Sequence, residues 1–217
     1  MSLPPRRPRV LLADDHLLIA EALTSLLSPE FDLVGVVADG RRLLEAAAEL
    51  RPDVIVADIT MPHLNGIDAL VRLREQGDKV PVVFLTMHRD VTFARRALEA
   101  GASGFVLKHS ASTELVAALR AALQGKTYLT PQIAGEVLEA MKPGSERSAD
   151  PVDALTPRQR EVLQLLAEGR AAKEIATILS ISTRTVEFHK YQMMEALDLH
   201  TNAELVHFAI KNGLVEF

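Results

Sequence analysis

A doubly wound α/β domain followed by a small all-α domain is the architecture this sequence predicts, and three observations carry it. Over the first 125 residues, short apolar runs rich in Val, Ile and Leu alternate five times with longer stretches whose apolar residues recur at three- and four-residue spacing. After Gly125 the strand signals stop, and from Thr156 onward every pattern is helical. A chain of 217 residues also accommodates two domains.

The apolar runs are Val10–Ala13, Leu33–Val37, Val54–Ala57, Val82–Leu85 and Phe105–Leu107. They lack polar alternation, which suits strands buried on both faces in a parallel sheet covered by helices. The helical stretches between them are His16–Leu27, Arg41–Leu50, Asn65–Gln76, Val91–Ala100 and Ser112–Gln124. Pro131–Met141 fits one further helix, and in Lys142–Asp153 Pro, Gly, Ser and charges replace apolar residues, as in a linker. Domains are therefore expected at 8–126 and 154–217, joined by 127–153. Four helices fit the second domain: Pro157–Glu168, Ala172–Leu179, Thr183–Ala196 and Asn202–Lys211. Thr156, Pro157 and Gln159 supply a cap, a first-turn proline and a capping-box partner, and Thr201 with Glu204 repeats the capping signal.

With 48% hydrophobic and 24% charged residues and a net charge of −5, the composition is that of a globular protein with a substantial core. It excludes disordered and collagenous classes. The absence of cysteine excludes disulfides, thiolate zinc sites and cysteine nucleophiles, so any chemistry must use oxygen or nitrogen groups. The longest apolar run, Val80–Leu85, is far short of the roughly 18 residues of a membrane span. Three arginines in Met1–Arg9 are not followed by the apolar block of a signal peptide. No membrane association and a cytoplasmic location are expected.

In a doubly wound sheet, function collects at the carboxyl ends of the strands. Asp14 and Asp15 follow the first run, Asp58 the third, Thr86 ends the fourth and Lys108 follows the fifth. Three carboxylates on one edge repel one another unless they hold a hard divalent cation, and Mg2+ suits such oxygen ligands. A lysine and a hydroxyl opposite them would complement an incoming phosphoryl group. Each position alone is an ordinary loop residue. Together with Asp58-Ile59-Thr60-Met61-Pro62 and Asn65-Gly66, they make the first 125 residues resemble the receiver domain of two-component response regulators. That resemblance implies a five-stranded parallel sheet of order 2-1-3-4-5. It implies Asp58 as phosphoacceptor, with Asp14, Asp15 and the Thr60 carbonyl joining Asp58 around Mg2+. It also implies that Lys108 contacts the phosphoryl oxygens and that Thr86 and Phe105 form a switch pair. Two positions depart from the pattern: His109 follows Lys108 where many receivers carry proline, and Met87 is larger than the alanine often found there.

In the second domain, Ala172–Leu179, Ser180-Ile181-Ser182 and Thr183–Ala196 read as helix, tight turn, helix. Val186, Met193 and Leu197 continue an apolar face, and Arg184, Glu187, Phe188, Lys190 and Tyr191 occupy the other, a mixture suited to a major groove. A plain helical hairpin shares this geometry. The segments Leu155-Thr156-Pro157-Arg158-Gln159-Arg160-Glu161-Val162-Leu163, Lys173-Glu174-Ile175-Ala176 and Thr185-Val186-Glu187-Phe188-His189 resemble the LuxR-type DNA-binding domain. Receiver plus this domain is the plan of the NarL/FixJ family. The resemblance implies DNA contacts from Lys173, Arg184, Thr185, Glu187, Phe188, Lys190 and Tyr191. Ala172, Gln192, Ala196 and Asp198 depart from it and remove positive charge. Residues 151–217 hold seven Lys and Arg against nine Asp and Glu, a net of −2. Phosphate contacts are then left to a patch of Arg158, Arg160, Arg170, Lys173, Arg184 and Lys190, and binding is expected to need dimerisation.

The expectation is a transcription regulator, not an enzyme. A histidine kinase would phosphorylate Asp58, and the phosphorylated homodimer would bind double-stranded DNA and act on the transcription machinery. Before phosphorylation the receiver would either mask the output domain or leave it undimerised. One alternative is an enzyme hydrolysing phosphate esters at the carboxylate site. The other is an atypical regulator that binds DNA independently of phosphorylation.

Overall fold

Parallel pairing organises the first part of the chain, in a computed structural model that describes residues 6–87, 89–142 and 151–215. Five strands, β1 (Arg9–Ala13), β2 (Asp32–Val37), β3 (Val54–Ala57), β4 (Val82–Thr86) and β5 (Gly104–Leu107), alternate with α1 (Leu17–Leu27), α2 (Gly40–Leu50), α3 (Gly66–Glu75), α4 (Val91–Glu99) and α5 (Ala111–Leu123). The spatial order is β2-β1-β3-β4-β5, as expected, and all pairs are parallel. A sixth strand, β6 (Tyr128–Leu129), continues the sheet beside Gly104 and Phe105 of β5. Two residues are too short for any periodicity, so the sequence carries no sign of this strand.

Alternation along the strands sends side chains to two cores, which is why the runs are apolar throughout. Leu11, Ala13, Ile55, Ala57, Phe84 and Phe105 pack beneath α2, α3 and α4. Val10, Leu12, Val54, Val56, Leu85 and Val106 pack against α1 and α5. Helix α6 (Pro131–Ala140) places Ile133 and Val137 in the first of these cores, against α4. Of the linker expected at 142–153, residues 143–150 lie outside the described residues.

A 3-10 turn, Pro151–Ala154, leads into α7 (Pro157–Ala167), α8 (Ala172–Leu179), α9 (Thr183–Leu197) and α10 (Asn202–Lys211). Their shared core contains Val162, Leu165, Ile175, Val186, Met193 and Leu205. The capping boxes form as the sequence predicts. Thr156 Oγ1 accepts from the Gln159 N–H while Gln159 Oε1 accepts from the Thr156 N–H, and Thr201 and Glu204 do the same at α10. Ser182 Oγ accepts from the Thr185 N–H and caps α9.

Gly66 opens α3 directly against the strand that carries Asp58. A Cβ there would lie 2.2 Å from the Asp58 carbonyl oxygen and 2.9 Å from the Phe84 ring, so only glycine fits. Gly66→Ala is expected to cost about 1–3 kcal/mol, as overpacking of a dense core does. The measurement is a lowered urea midpoint by circular dichroism, and an unchanged midpoint would show that the β3–α3 junction yields freely.

Candidate functional site

The strand ends bring the predicted residues of the receiver-like part to one edge. Asp58 is buried just beyond β3, where its Oδ1 accepts from the Ile59 N–H at 2.7 Å. Its Oδ2 lies 2.6 Å from Lys108 Nζ, and the same ammonium is 2.8 Å from Asp14 Oδ2. Lys108 thus spans both carboxylates, although His109 stands in place of the proline. The His109 ring lies 3.1 Å from Gln132 Oε1 on α6. A cavity of about 240 Å³ is lined by Asp58, Thr60, Thr86 and Lys108, with His16, Ile19 and the exposed Met87 around them. Phe105 does not reach this cavity; it is fully buried in the core beneath α4.

Asp14, Asp15, His16 and Asp58 each offer a ligand atom, and these atoms lie within 4.8 Å of one another. Such a cluster could hold a metal ion. His16 joins the cluster without any expectation from the sequence. Its N–H donates to Asp14 Oδ1 at 2.9 Å, and its ring Nδ1 is 3.2 Å from Asp14 and 3.0 Å from Asp15. The only signal for it was its place directly after the paired aspartates.

Burial pushes the Asp58 carboxyl up to about 6, against the pull of the Lys108 charge and hydrogen bond, with Asp14 adding to the rise. For Lys108, burial works towards a lower value. The Asp58 charge and the hydrogen bonds Lys108 donates to Asp14 and Asp58 outweigh it and hold the ammonium above its ordinary value. The lysine therefore stays charged.

The helical domain docks on the same side through α7. Glu161 is 3% exposed yet ionic. Its Oε1 receives Arg72 Nε and Nη2 at 2.8 and 2.6 Å, while its Oε2 receives Arg158 at 2.7 Å and faces Arg41 at 3.4 Å. Arg160 Nε meets the buried Asp68 at 2.7 Å. Two of the six cations assigned to DNA phosphates, Arg158 and Arg160, thus turn inward. Each meets a buried carboxylate that would be left unpaired, at a cost, if the arginine turned away. A third, Arg170, lies 3.3 Å from His63 Nε2.

On α9, Val186 and Met193 are buried, whereas Phe188 and Tyr191 are 57% and 65% exposed. Arg184 and Lys173 are exposed as well. Glu187 pairs with Lys190 at 2.5 Å, and Lys190 Nζ lies 5.4 Å from the centre of the Tyr191 ring. Thr185, expected to touch DNA, shares a 2.8 Å hydrogen bond with the capping Ser182 hydroxyl.

Residues 10–120 match the response regulator receiver domain family, and residues 153–209 match the luxR family of bacterial regulatory proteins. The chain is 34% identical to the oxygen regulatory protein NreC of Staphylococcus epidermidis over 217 residues, covering 96% of this chain and all of the relative. It is 32% identical to NreC of Staphylococcus aureus over 216 residues, with the same shares covered. Among solved structures it is similar to the RcsB response regulator of Salmonella typhimurium, with 26% identity, a TM-score of 0.64, and 94% and 96% of the two chains covered. A structure of two RcsB dimers bound to two parallel DNAs matches at 26% identity and a TM-score of 0.58, covering 94% and 98%.

The raised Asp58 carboxyl has a consequence for stability. A rise from 3.8 to about 6 corresponds to about 3 kcal/mol, and its sign is set by which state takes the proton first. On falling pH the folded protein protonates Asp58 before the unfolded chain does, so this group penalises folding above about pH 6 and the penalty fades towards about pH 4. Asp58→Asn is expected to melt several degrees above wild type at about pH 8, with the gap closing by about pH 4. Melting curves in metal-free buffer test this, and a gap that does not vary with pH would show Asp58 to be ordinarily ionised.

Proposed function

The chain belongs to the response regulators that join a receiver domain to a LuxR-type DNA-binding domain, and from that we propose that phosphorylation of Asp58 controls its dimerisation and its sequence-specific binding to DNA. The division at 8–126, 127–153 and 154–217 goes with this reading, although β6 and α6 of the middle segment pack on the receiver sheet. The observation that carries it is Lys108 Nζ seated between Asp58 and Asp14 at the carboxyl edge of the sheet. A buried nucleophilic carboxylate and a fixed cation then face one cavity.

In this reading a partner histidine kinase presents its phosphohistidine to Asp58. A carboxylate oxygen attacks phosphorus, the phosphorus–nitrogen bond breaks with its electron pair staying on the imidazole, and an acyl phosphate remains on Asp58. Lys108 offsets charge on the phosphoryl oxygens, and the Thr86 hydroxyl lines the cavity where they would lie. Asp14, Asp15, Asp58 and the Thr60 carbonyl would hold Mg2+, and the donor set fits: hard oxygen ligands, with the carboxylate atoms inside 4.8 Å. The His16 ring adds one nitrogen beside this oxygen set. Bound there, the cation would neutralise charge on the transferred group. Thr86 and Phe105 form the switch pair in this proposal.

The reading face of α9 is uncovered while α7 is docked, since Phe188 and Tyr191 are largely exposed. That supports control of pairing over masking of the helix. Lys173, Arg184, Thr185, Glu187, Phe188, Lys190 and Tyr191 make the DNA contacts, and a homodimer doubles them over two half-sites. No helix among the described residues is long and apolar enough to cross a membrane.

Intact-mass measurement with acetyl phosphate and Mg2+ is expected to add one phosphoryl group to wild type and none to Asp58→Ala. Undiminished labelling of Asp58→Ala would place the acceptor elsewhere. Selection of preferred sites from random DNA is expected to separate the α9 residues. Glu187→Ala should relax the preference at one position at a cost of about 1–3 kcal/mol, whereas Lys190→Ala should weaken all sequences alike and flatten the salt dependence. An unchanged consensus for Glu187→Ala would leave that carboxylate as the surface partner of Lys190 alone.

A further inference from the structure

The acidic edge of the sheet carries one group that the phosphoryl-transfer reading leaves without a task, the His16 imidazole. His16 is the N-cap residue of α1, yet its side chain makes no capping bond to that helix. Its backbone N–H donates instead to Asp14 Oδ1 at 2.9 Å, which ties the start of α1 to the carboxylate cluster. The ring follows the backbone, with Nδ1 3.2 Å from Asp14 Oδ1 and 3.0 Å from Asp15 Oδ1. Lys108 is paired with different oxygens, Asp14 Oδ2 and Asp58 Oδ2. Imidazole and ammonium thus divide the two oxygens of Asp14 between them, and the nitrogen sits on the part of the cluster that the lysine leaves open.

Those spacings suit a small divalent ion. Around an octahedral ion with ligands at about 2.1 Å, neighbouring ligand atoms stand about 3.0 Å apart and opposite ones about 4.2 Å. Nδ1 keeps the neighbour spacing to both carboxylates, and the four ligand atoms of Asp14, Asp15, His16 and Asp58 all lie within 4.8 Å of one another. His16 and Thr60 line both the cavity that contains Asp58 and the one that contains Asp15, so the ring stands where the two meet. Its side chain is 54% exposed, and a hydrated ion reaches it from solvent.

A nitrogen in the donor set changes which ion is favoured. Mg2+ prefers oxygen and gives up its waters reluctantly, so an imidazole adds little for it. Imidazole suits Ni2+ and Zn2+, and the affinity of a mixed nitrogen and oxygen site rises from Mn2+ through Co2+ to Ni2+.

We propose that His16 is a further metal ligand, and that with Asp14, Asp15 and Asp58 it makes a mixed nitrogen and oxygen centre that takes a borderline divalent transition ion, of the Co2+, Ni2+ and Zn2+ class, in preference to Mg2+. The inference rests on the reading of these aspartates as a cation site. It makes the phosphorylation site one from which such an ion displaces Mg2+.

The test uses the untagged full chain as wild type, His16→Gln and Asp15→Asn, with thermal melts in metal-free buffer confirming that each variant folds. Should His16→Gln fail to fold, His16→Asn, which keeps a capping residue at the start of α1, carries the test. Co2+ binding is read by titration calorimetry and Mg2+ binding by amide shifts in an NMR titration. Wild type is expected to bind Co2+ about tenfold or more tighter than Mg2+. His16→Gln is expected to lower the Co2+ affinity about tenfold more than the Mg2+ affinity, whereas Asp15→Asn lowers both. A His16→Gln chain whose two affinities fall alike, or hold, would overturn the proposal and leave the imidazole as an ordinary partner of the two carboxylates. Wild type that binds Mg2+ as tightly as Co2+ would overturn it as well. So would Co2+ binding undiminished by Asp15→Asn, which would place the ion on other histidines of the chain. Wild type that binds neither ion would instead refute the cation-site reading, and this inference with it.

Discussion

Everything at the carboxyl edge of the sheet depends on one ammonium. β1 and β3 are adjacent parallel strands, so the residues that follow them, Asp14 and Asp58, emerge side by side. Two buried carboxylates in that position would repel and push the strand ends apart. Lys108, delivered by the next strand but one, lies within 2.8 Å of both and makes their approach tolerable. The apolar strands, closed on both faces, turn this into a stiff constraint. None of the three groups can retreat into the core, and each can only exchange one charged partner for another.

A second charge cluster does for the two domains what Lys108 does for the strands. The seam between α3 and α7 is built from Arg72 and Asp68 on one side and Glu161 and Arg160 on the other, with Arg41 and Arg158 completing the shell around Glu161. Buried ion pairs contribute little net stability compared with apolar packing, but a single unpaired member is costly. Such a seam is selective in register. It tolerates one docking geometry and penalises those that strand a charge.

The first domain was legible because its signals are local. A strand buried on both faces announces itself in four residues such as Val54–Ala57, and an aspartate at the carboxyl edge of the sheet can be picked out by its place directly after one. The caps at Thr156 and Thr201 were legible for the same reason, since both partners of each box sit three residues apart. What escaped was non-local. Glu161 and Gln164 belong to a helix whose polar face looks solvated when read alone, and their partners lie about a hundred residues upstream. Arg158 and Arg160 were assigned to DNA phosphates because charge on a helix carries no label saying which partner it meets. β6 escaped because two residues hold no period, and His16 because a histidine that opens a helix has many ordinary uses.

The polar make-up of the α3–α7 seam sets its response to heat. Undocking it would hydrate mainly guanidinium, carboxylate and amide groups, whereas unfolding either domain exposes Val, Leu and Ile. Heat capacity rises with apolar exposure and falls slightly with polar exposure, so separation of the domains would change the heat capacity far less than melting of the cores does. The hydration that competes with the ion pairs also weakens on warming. The seam would therefore hold its grip, or tighten it, over temperatures at which the domains on either side are loosening.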